Sequence, residues 1–119
     1  MKILIIVLLT ILLTSCKDSK QTFIYEKIDS IRAQEIINES ASYLIIDVRT
    51  AEEYESGHLN NAINIPVDEI NSTLDISKDT ILFVYCRSGA RSKIAAEALI
   101  DLGYTVYDLG AHENISLEE

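Results

Sequence analysis

Residues 81–85 form an unbroken apolar run, Ile-Leu-Phe-Val-Tyr, that stops at Cys86, and this run restricts the folds open to the chain. A strand apolar at every position has both faces covered, as in a parallel sheet packed between helices. A second such run, residues 43–46, ends at Asp47, and residues 104–109 read as a further strand. Helical signals lie between them. Ile31, Ile36 and Ile37, spaced by Arg32, Gln34 and Glu35, predict a short helix. Thr50 with Glu53 three positions on has capping-box spacing, and Gly57 stops the helix it starts. Ile94, Ala95, Ala98, Leu99 and Leu102 predict a helix whose apolar stripe packs on the sheet, with Gly103 at its end. Residues 23–28 alternate and read as a first strand, residues 62–65 as a short one closed by Pro66, and residues 67–71 as one helical turn. Strand–helix alternation of this kind gives an α/β fold with a mainly parallel sheet flanked by helices.

Sites in such sheets form at the carboxyl ends of strands. Asp47 and Cys86 both stand at such ends, which predicts that they are neighbours. After Cys86 come Arg87, Ser88, Gly89, Ala90, Arg91 and Ser92, and then the helix. A thiol between a strand end and a helix start meets backbone N–H groups and the positive end of the helix dipole. Both stabilise the thiolate, the reactive form of cysteine. A bland buried cysteine fits this polar loop poorly. No cluster of His, Cys, Asp and Glu has metal-ligand spacing, so neither a metal nor another cofactor is expected.

The first residues carry an address. Lys2 precedes residues 3–13, an apolar run broken only by Thr10, and Thr14-Ser15-Cys16 follows. As a helix that run would be roughly 17 Å long, short of the ~30 Å hydrocarbon core, which fits a signal-peptide core better than a spanning helix. The small residues ending in Cys16 resemble the lipobox of bacterial lipoproteins. That resemblance implies removal of residues 1–15, lipidation of Cys16, a tether over residues 16–25, and a domain over residues 26–119. It places the chain in the cell envelope, exported and anchored to a membrane through Cys16. The simpler alternative is a cleaved signal peptide with an incidental Cys16. The chain has only two cysteines, so acylation of Cys16 leaves Cys86 as its one free thiol. Of ten basic residues only Lys2 lies in the leader, so the remainder carries nine against nineteen acidic residues, a net −10. That balance excludes a nucleic-acid binder, which needs clustered Lys and Arg.

Five segments together resemble a known family. In order and spacing, Asp47-Val48-Arg49, Glu52-Glu53-Tyr54, Gly57-His58-Leu59, Ala62-Ile63-Asn64-Ile65-Pro66 and Cys86-Arg87-Ser88-Gly89-Ala90-Arg91-Ser92 are similar to the single-domain rhodaneses. The match runs from about Ile28 to Leu109. The resemblance implies a five-stranded, mostly parallel sheet with helices on both faces, and thiosulfate sulfurtransferase chemistry through a Cys86 persulfide. The partners it implies are a small sulfur-donor anion such as thiosulfate and a thiol or cyanide acceptor. Two departures stand out. Asn61 occupies a turn where the family often has glycine, and asparagine tolerates the left-handed conformation. Near the end, a glycine pair followed by an aromatic residue is replaced by Gly110-Ala111-His112, at the edge of the site.

The residue roles follow from this frame. Cys86 is the nucleophile. Its loop N–H groups, with Arg87 and Arg91, are expected to lower the thiol pKa and hold the persulfide. Gly89 lets the loop wrap tightly. Arg87 is expected to meet the donor's sulfonate oxygens. Arg91 is expected to brace the loop by pairing with a carboxylate such as Asp47, and Ser88 and Ser92 to hydrogen-bond the sulfur or the loop. Asp47, Arg49 and Ser92 are read as supporting residues, His58 as a packing or hydrogen-bonding residue and His112 as solvent-exposed. Phosphatases and arsenate reductases also use a Cys-loop-Arg site, but typically with five intervening residues, wide enough for a tetrahedral oxyanion. Four separate Cys86 from Arg91, which suits a single sulfur atom. The loop leaves one alternative open: a persulfide carrier or thiol-redox partner of another exported protein, with thiosulfate activity incidental.

Overall fold

A computed structural model describes residues 23–118; the leader, Cys16 and most of the expected tether lie outside the described residues. The elements in order are α1 (Ser30–Glu39), β1 (Tyr43–Asp47), α2 (Ala51–Glu55), β2 (Ala62–Asn64), β3 (Ile81–Cys86), α3 (Ala90–Asp101) and β4 (Thr105–Ala111). Short 3-10 turns cover Val67–Glu69 and His112–Asn114. The strands pair in the order β2-β1-β3-β4, all parallel. The two wholly apolar runs are therefore the two central strands, as burial on both faces requires.

Alternation along β3 divides the core. Leu82, Val84 and Cys86 face α3, where Ala95, Ala96 and Leu99 pack against them. Phe83 and Tyr85 face the opposite layer with Ala33 and Ile36 of α1, and Tyr54 and Leu59 close that side. All five β3 residues from Leu82 to Cys86 have no exposed surface. Each large apolar side chain so buried contributes about 1.5–3 kcal/mol, which anchors the strand that carries the cysteine. The α3 stripe differs from the expected one, because Ile94 is 60% exposed. Ala95 and Leu99 face inward as expected, joined by Ser92 and Ala96 rather than by Ile94. Ser92 leads the stripe because it turns toward the cysteine loop, and the two alanines let the helix sit close to the sheet.

The described sheet has four strands rather than five. Residues 23–28 contribute one parallel bridge, Lys27 to Asp108. Ile28 N–H donates to the Asp108 carbonyl and Asp108 N–H to the Glu26 carbonyl, each at 2.9 Å. The ladder goes no further because β4 bulges just beyond it: Val84 pairs with Asp108, but Tyr85 pairs with Gly110. The Asp108 carboxylate fixes the bulge, accepting Gly110 N–H at 2.8 Å and the Tyr25 hydroxyl at 2.5 Å. Gly110 has φ +78°, and an added Cβ would stand 2.9 Å from Lys27 Cε. The bulge re-aims the end of β4 toward the cysteine loop.

Local signals behave as their chemistry predicts. Glu53 N–H donates to Thr50 Oγ1 at 3.2 Å and Thr50 N–H to Glu53 Oε1 at 3.3 Å, closing the capping box. Asn61 is the one non-glycine residue with positive φ (64°) among the described residues. Among the described residues, no helix is long and apolar enough to cross a membrane.

Candidate active site

Cys86 ends β3, and the chain turns at once through residues 87–89 into α3. Gly89, the helix N-cap, has φ +100°, a conformation side chains disfavour, and this turns its N–H back onto Cys86 Sγ at 2.9 Å. Burial pushes the Cys86 thiol up. The Ser92 hydroxyl and the N–H groups of Ser92, Gly89 and Ser88 outweigh burial, and the thiol ends below its ordinary value. The stabilising donors are thus mostly backbone, with Ser92 as the side chain that serves the sulfur. Ser92 Oγ–H also donates to the Gly89 carbonyl at 3.1 Å. Cys86 has no exposed surface, so the sulfur sits beneath the loop, and contact with a donor requires the loop or the side chain to move.

Asp47 and Cys86 stand side by side at their strand ends, since Asp47 pairs in register with Tyr85. Asp47 is fully buried and its carboxylate is taken by Arg49: Nε donates to both oxygens at 3.0 Å and Nη2 to Oδ2 at 2.7 Å. Arg49 N–H adds a bond at 2.9 Å and the Tyr85 hydroxyl another at 2.8 Å. Nη2 of Arg49 also donates to the Gly57 carbonyl at 2.6 Å, and Leu59 N–H donates to the Tyr85 oxygen at 3.0 Å. Asn64 spans the Asp47 and Arg49 carbonyls at 3.0 Å each. A buried charge needs a partner and saturated hydrogen bonds, and this pair has both. It ties β1, β2 and the turn after α2 to β3 directly beside the cysteine. Arg91, expected to pair with Asp47, makes no hydrogen bond or ion pair with it among the described residues.

Arg91 finds its carboxylate on α2 instead. It donates to Glu53 Oε1 at 2.6 Å and to Oε2 at 3.0 Å, a fork on a carboxylate that also closes the capping box. The Arg91 guanidinium holds the Glu53 carboxyl down to about 2. So α2, five residues long and with no fully buried residue, is tied to the start of α3 through this fork. Beside the loop lies a cleft of about 490 Å³ lined by Arg49, Glu53, Ser56, Arg87, His112 and Glu113. His112 is half-buried rather than exposed, with its ring centroid 5.3 Å from that of Tyr85. His58 stacks on Tyr54 at 3.7 Å, with its Nδ1 2.8 Å from the Tyr54 carbonyl.

The structure brings Cys86, Ser88, Gly89 and Ser92 into one cradle, places Arg87 on the adjoining cleft, and sets Ala90 as the first residue of α3. Sequence reasoning missed Tyr85, Glu53, His112 and Glu113. Tyr85 is disguised by the apolar run, where a tyrosine reads as core. Glu53 is visible only as a helix cap, since its second partner lies 38 positions away.

Comparison with known proteins follows the same lines. Residues 31–113 match the Rhodanese-like domain family. The chain is 37% identical over 76 residues to the thiosulfate sulfurtransferase PspE of Escherichia coli, covering 60% of this chain and 73% of that protein. It is 37% identical over 83 residues to the adenylyltransferase and sulfurtransferase uba4 of Ogataea parapolymorpha, covering 68% of this chain but only 21% of the yeast protein. A rhodanese-related protein from Thermoplasma volcanium superposes with a TM-score of 0.63 at 31% identity, over 75% of this chain and 87% of that one. With a parallel α/β sheet, a cysteine loop at the end of its central strand, and a match across most of its length, this chain belongs to the Rhodanese-like domain family.

Proposed function

We propose that this chain is a sulfurtransferase that moves a sulfane sulfur from thiosulfate, or a related anionic donor, to a thiol or cyanide through a persulfide on Cys86. The observation that carries this reading is the Gly89 N–H aimed at Cys86 Sγ at 2.9 Å. It is one of several donors serving a single atom at the start of α3, and the four residues between Cys86 and Arg91 suit a single sulfur rather than a tetrahedral phosphate. The Cys86 thiolate attacks the outer sulfur of thiosulfate, a new S–S bond forms, and sulfite leaves with the electron pair of the broken S–S bond. The cradle donors then hold the persulfide anion, as fixed dipoles hold an oxyanion. Arg87, exposed on the cleft and without an ion-pair partner among the described residues, is the residue to meet the sulfonate oxygens. An acceptor nucleophile takes the outer sulfur and returns Cys86 to the thiolate.

The yeast relative favours a second reading. There a domain like this one is a fifth of a larger protein, which suits a persulfide carrier that hands sulfur to a partner protein. The two readings differ in the acceptor they prefer, not in the loading step. We also propose that the chain is exported and lipid-anchored through Cys16, on the lipobox-like sequence alone. Intact mass tests both points. Thiosulfate should add one sulfur atom to the wild type and none to Cys86→Ala, and protein taken from membranes should carry a diacylglyceryl group that Cys16→Ala lacks. A wild type that gains no sulfur, or an alanine variant that gains as much, would falsify the mechanism.

A further inference from the structure

The charges around the cleft do not suit thiosulfate alone. Arg49 is neutralised by Asp47 at 2.7 Å and Glu53 by Arg91 at 2.6 Å. Ser56 is neutral. Three groups remain: Arg87 beside the nucleophile, and His112 and Glu113 from the turn after β4. Glu113 is exposed and has no hydrogen-bond or ion-pair partner among the described residues. A free carboxylate next to the landing site of a dianion opposes its approach, because like charges repel. It gains a use if the second substrate brings a positive charge.

We propose that the His112–Glu113 turn is the acceptor-selecting wall of the cleft, and that the acceptor is a small zwitterionic aminothiol. The thiol's ammonium group pairs with Glu113. Its carboxylate takes Arg87 once sulfite has left, and its sulfur is directed at the Cys86 persulfide. His112 is the positioning residue: its ring against Tyr85, 5.3 Å between centroids, anchors the turn to β3 beside the cysteine. The turn owes its place to the β4 bulge, which brings Ala111 level with Cys86. A cleft of about 490 Å³ has room for a molecule of this size and remains open to solvent for exchange of donor and acceptor. In the transfer step the acceptor thiol passes its proton to the outer sulfur of the persulfide anion and attacks that sulfur as the thiolate. The new S–S bond forms as the bond to Cys86 Sγ breaks, Cys86 leaves as thiolate with the electron pair, and the acceptor departs as its hydropersulfide.

The proposal rests on the sulfur-transfer reading, and the test separates the two. The full-length chain is loaded with thiosulfate, loading is scored by intact mass, and single-turnover discharge is followed with cysteine, N-acetylcysteine and cysteamine. N-acetylation removes the ammonium group, and cysteamine lacks the carboxylate. In Glu113→Gln the ratio of cysteine to N-acetylcysteine discharge rates should fall by about fivefold, the upper range for an exposed ion pair. Loading by thiosulfate should quicken by a similar factor, and both effects should shrink at high salt. Glu113→Lys should invert the preference. Arg87→Gln should lower the cysteine rate relative to cysteamine. Normal loading with an unchanged acceptor ratio in both Glu113 variants overturns the proposal and leaves sulfur transfer standing. A wild type that never loads overturns both.

Discussion

Ser92→Ala removes the side-chain donor that serves the Cys86 sulfur among the described residues, and its effect should change sign with pH. The hydroxyl is fully buried and has two acceptors in reach, the sulfur and the Gly89 carbonyl at 3.1 Å. A hydrogen bond to an ion contributes about 1.5–3 kcal/mol and one between neutral groups about 0.5–1.5 kcal/mol. The thiolate therefore gains about 1 kcal/mol over the thiol from this hydroxyl, or about fivefold in thiolate population below the thiol's pKa. A less stabilised thiolate is also a better nucleophile, with a Brønsted slope of ~0.4–0.5. The net loss in loading rate at low pH is then about two- to threefold. Once both proteins are fully ionised, the variant should load about twofold faster. Confounding damage is small, because the Gly89 carbonyl keeps the Lys93 N–H at 3.3 Å. The assay is single-turnover loading by thiosulfate across pH, alongside a titration of thiolate ultraviolet absorbance. The titration midpoint should move up and the two rate profiles should cross. Equal losses at every pH, or a midpoint that stays put, refute the Ser92 hydroxyl as a source of thiolate stabilisation.

Two further substitutions test the supports of the site. Asp47→Asn leaves Arg49 buried without its charge partner and should cost about 3–5 kcal/mol, read as a drop in urea midpoint at constant slope; a loss under 1 kcal/mol would show that the pair is dispensable. Glu53 titrates near 2 in the folded chain against an ordinary 4.5, so its pairing with Arg91 stabilises the fold above pH 4.5 and is lost as pH falls through 2. Glu53→Gln should therefore lower stability at neutral pH and flatten its dependence on pH across that window, measured by urea unfolding at stepped pH. Parallel curves for variant and wild type would remove Glu53 as an acid-sensitive group.

What could be read from the sequence was whatever depended on near neighbours. The runs 81–85 and 43–46 gave the central strands because each residue's burial repeats that of the next. The Thr50–Glu53 cap was legible for the same reason. The arginine partners were not. Arg49 bonds a carboxylate two residues away, while Arg91 crosses 38 positions to Glu53. Asp47 and Glu53 are both carboxylates near strand or helix ends, and only the register of β1 with β3 shows which arginine reaches which. Ile94 misled because an apolar residue at helical spacing looks inward, yet the stripe is set by where Ser92 must point. The fifth strand failed at the Asp108–Gly110 bulge, whose signal, one aspartate two residues before a glycine, is too common to read in advance.

The cradle also bears on where catalysis comes from. Donors that stabilise the resting thiolate as much as the transition state raise the fraction ionised without lowering the barrier from that ion. As the donor's sulfur is captured, negative charge moves from Sγ to the outer sulfur, so donors fixed on Sγ help the product only if the two sulfurs exchange places. Cys86 has no exposed surface, which demands a movement of the same kind before thiosulfate can touch it. β3, the Asp47–Arg49 pair and the β4 bulge hold the strand side rigid, whereas Arg87 and Ser88 are exposed at the crown of the loop. In the proposed mechanism one displacement of that crown would open a path to Sγ and make room for a second sulfur under the same N–H groups. Under the proposed mechanism the cradle then serves the persulfide more fully than the thiolate, and that difference would accelerate loading.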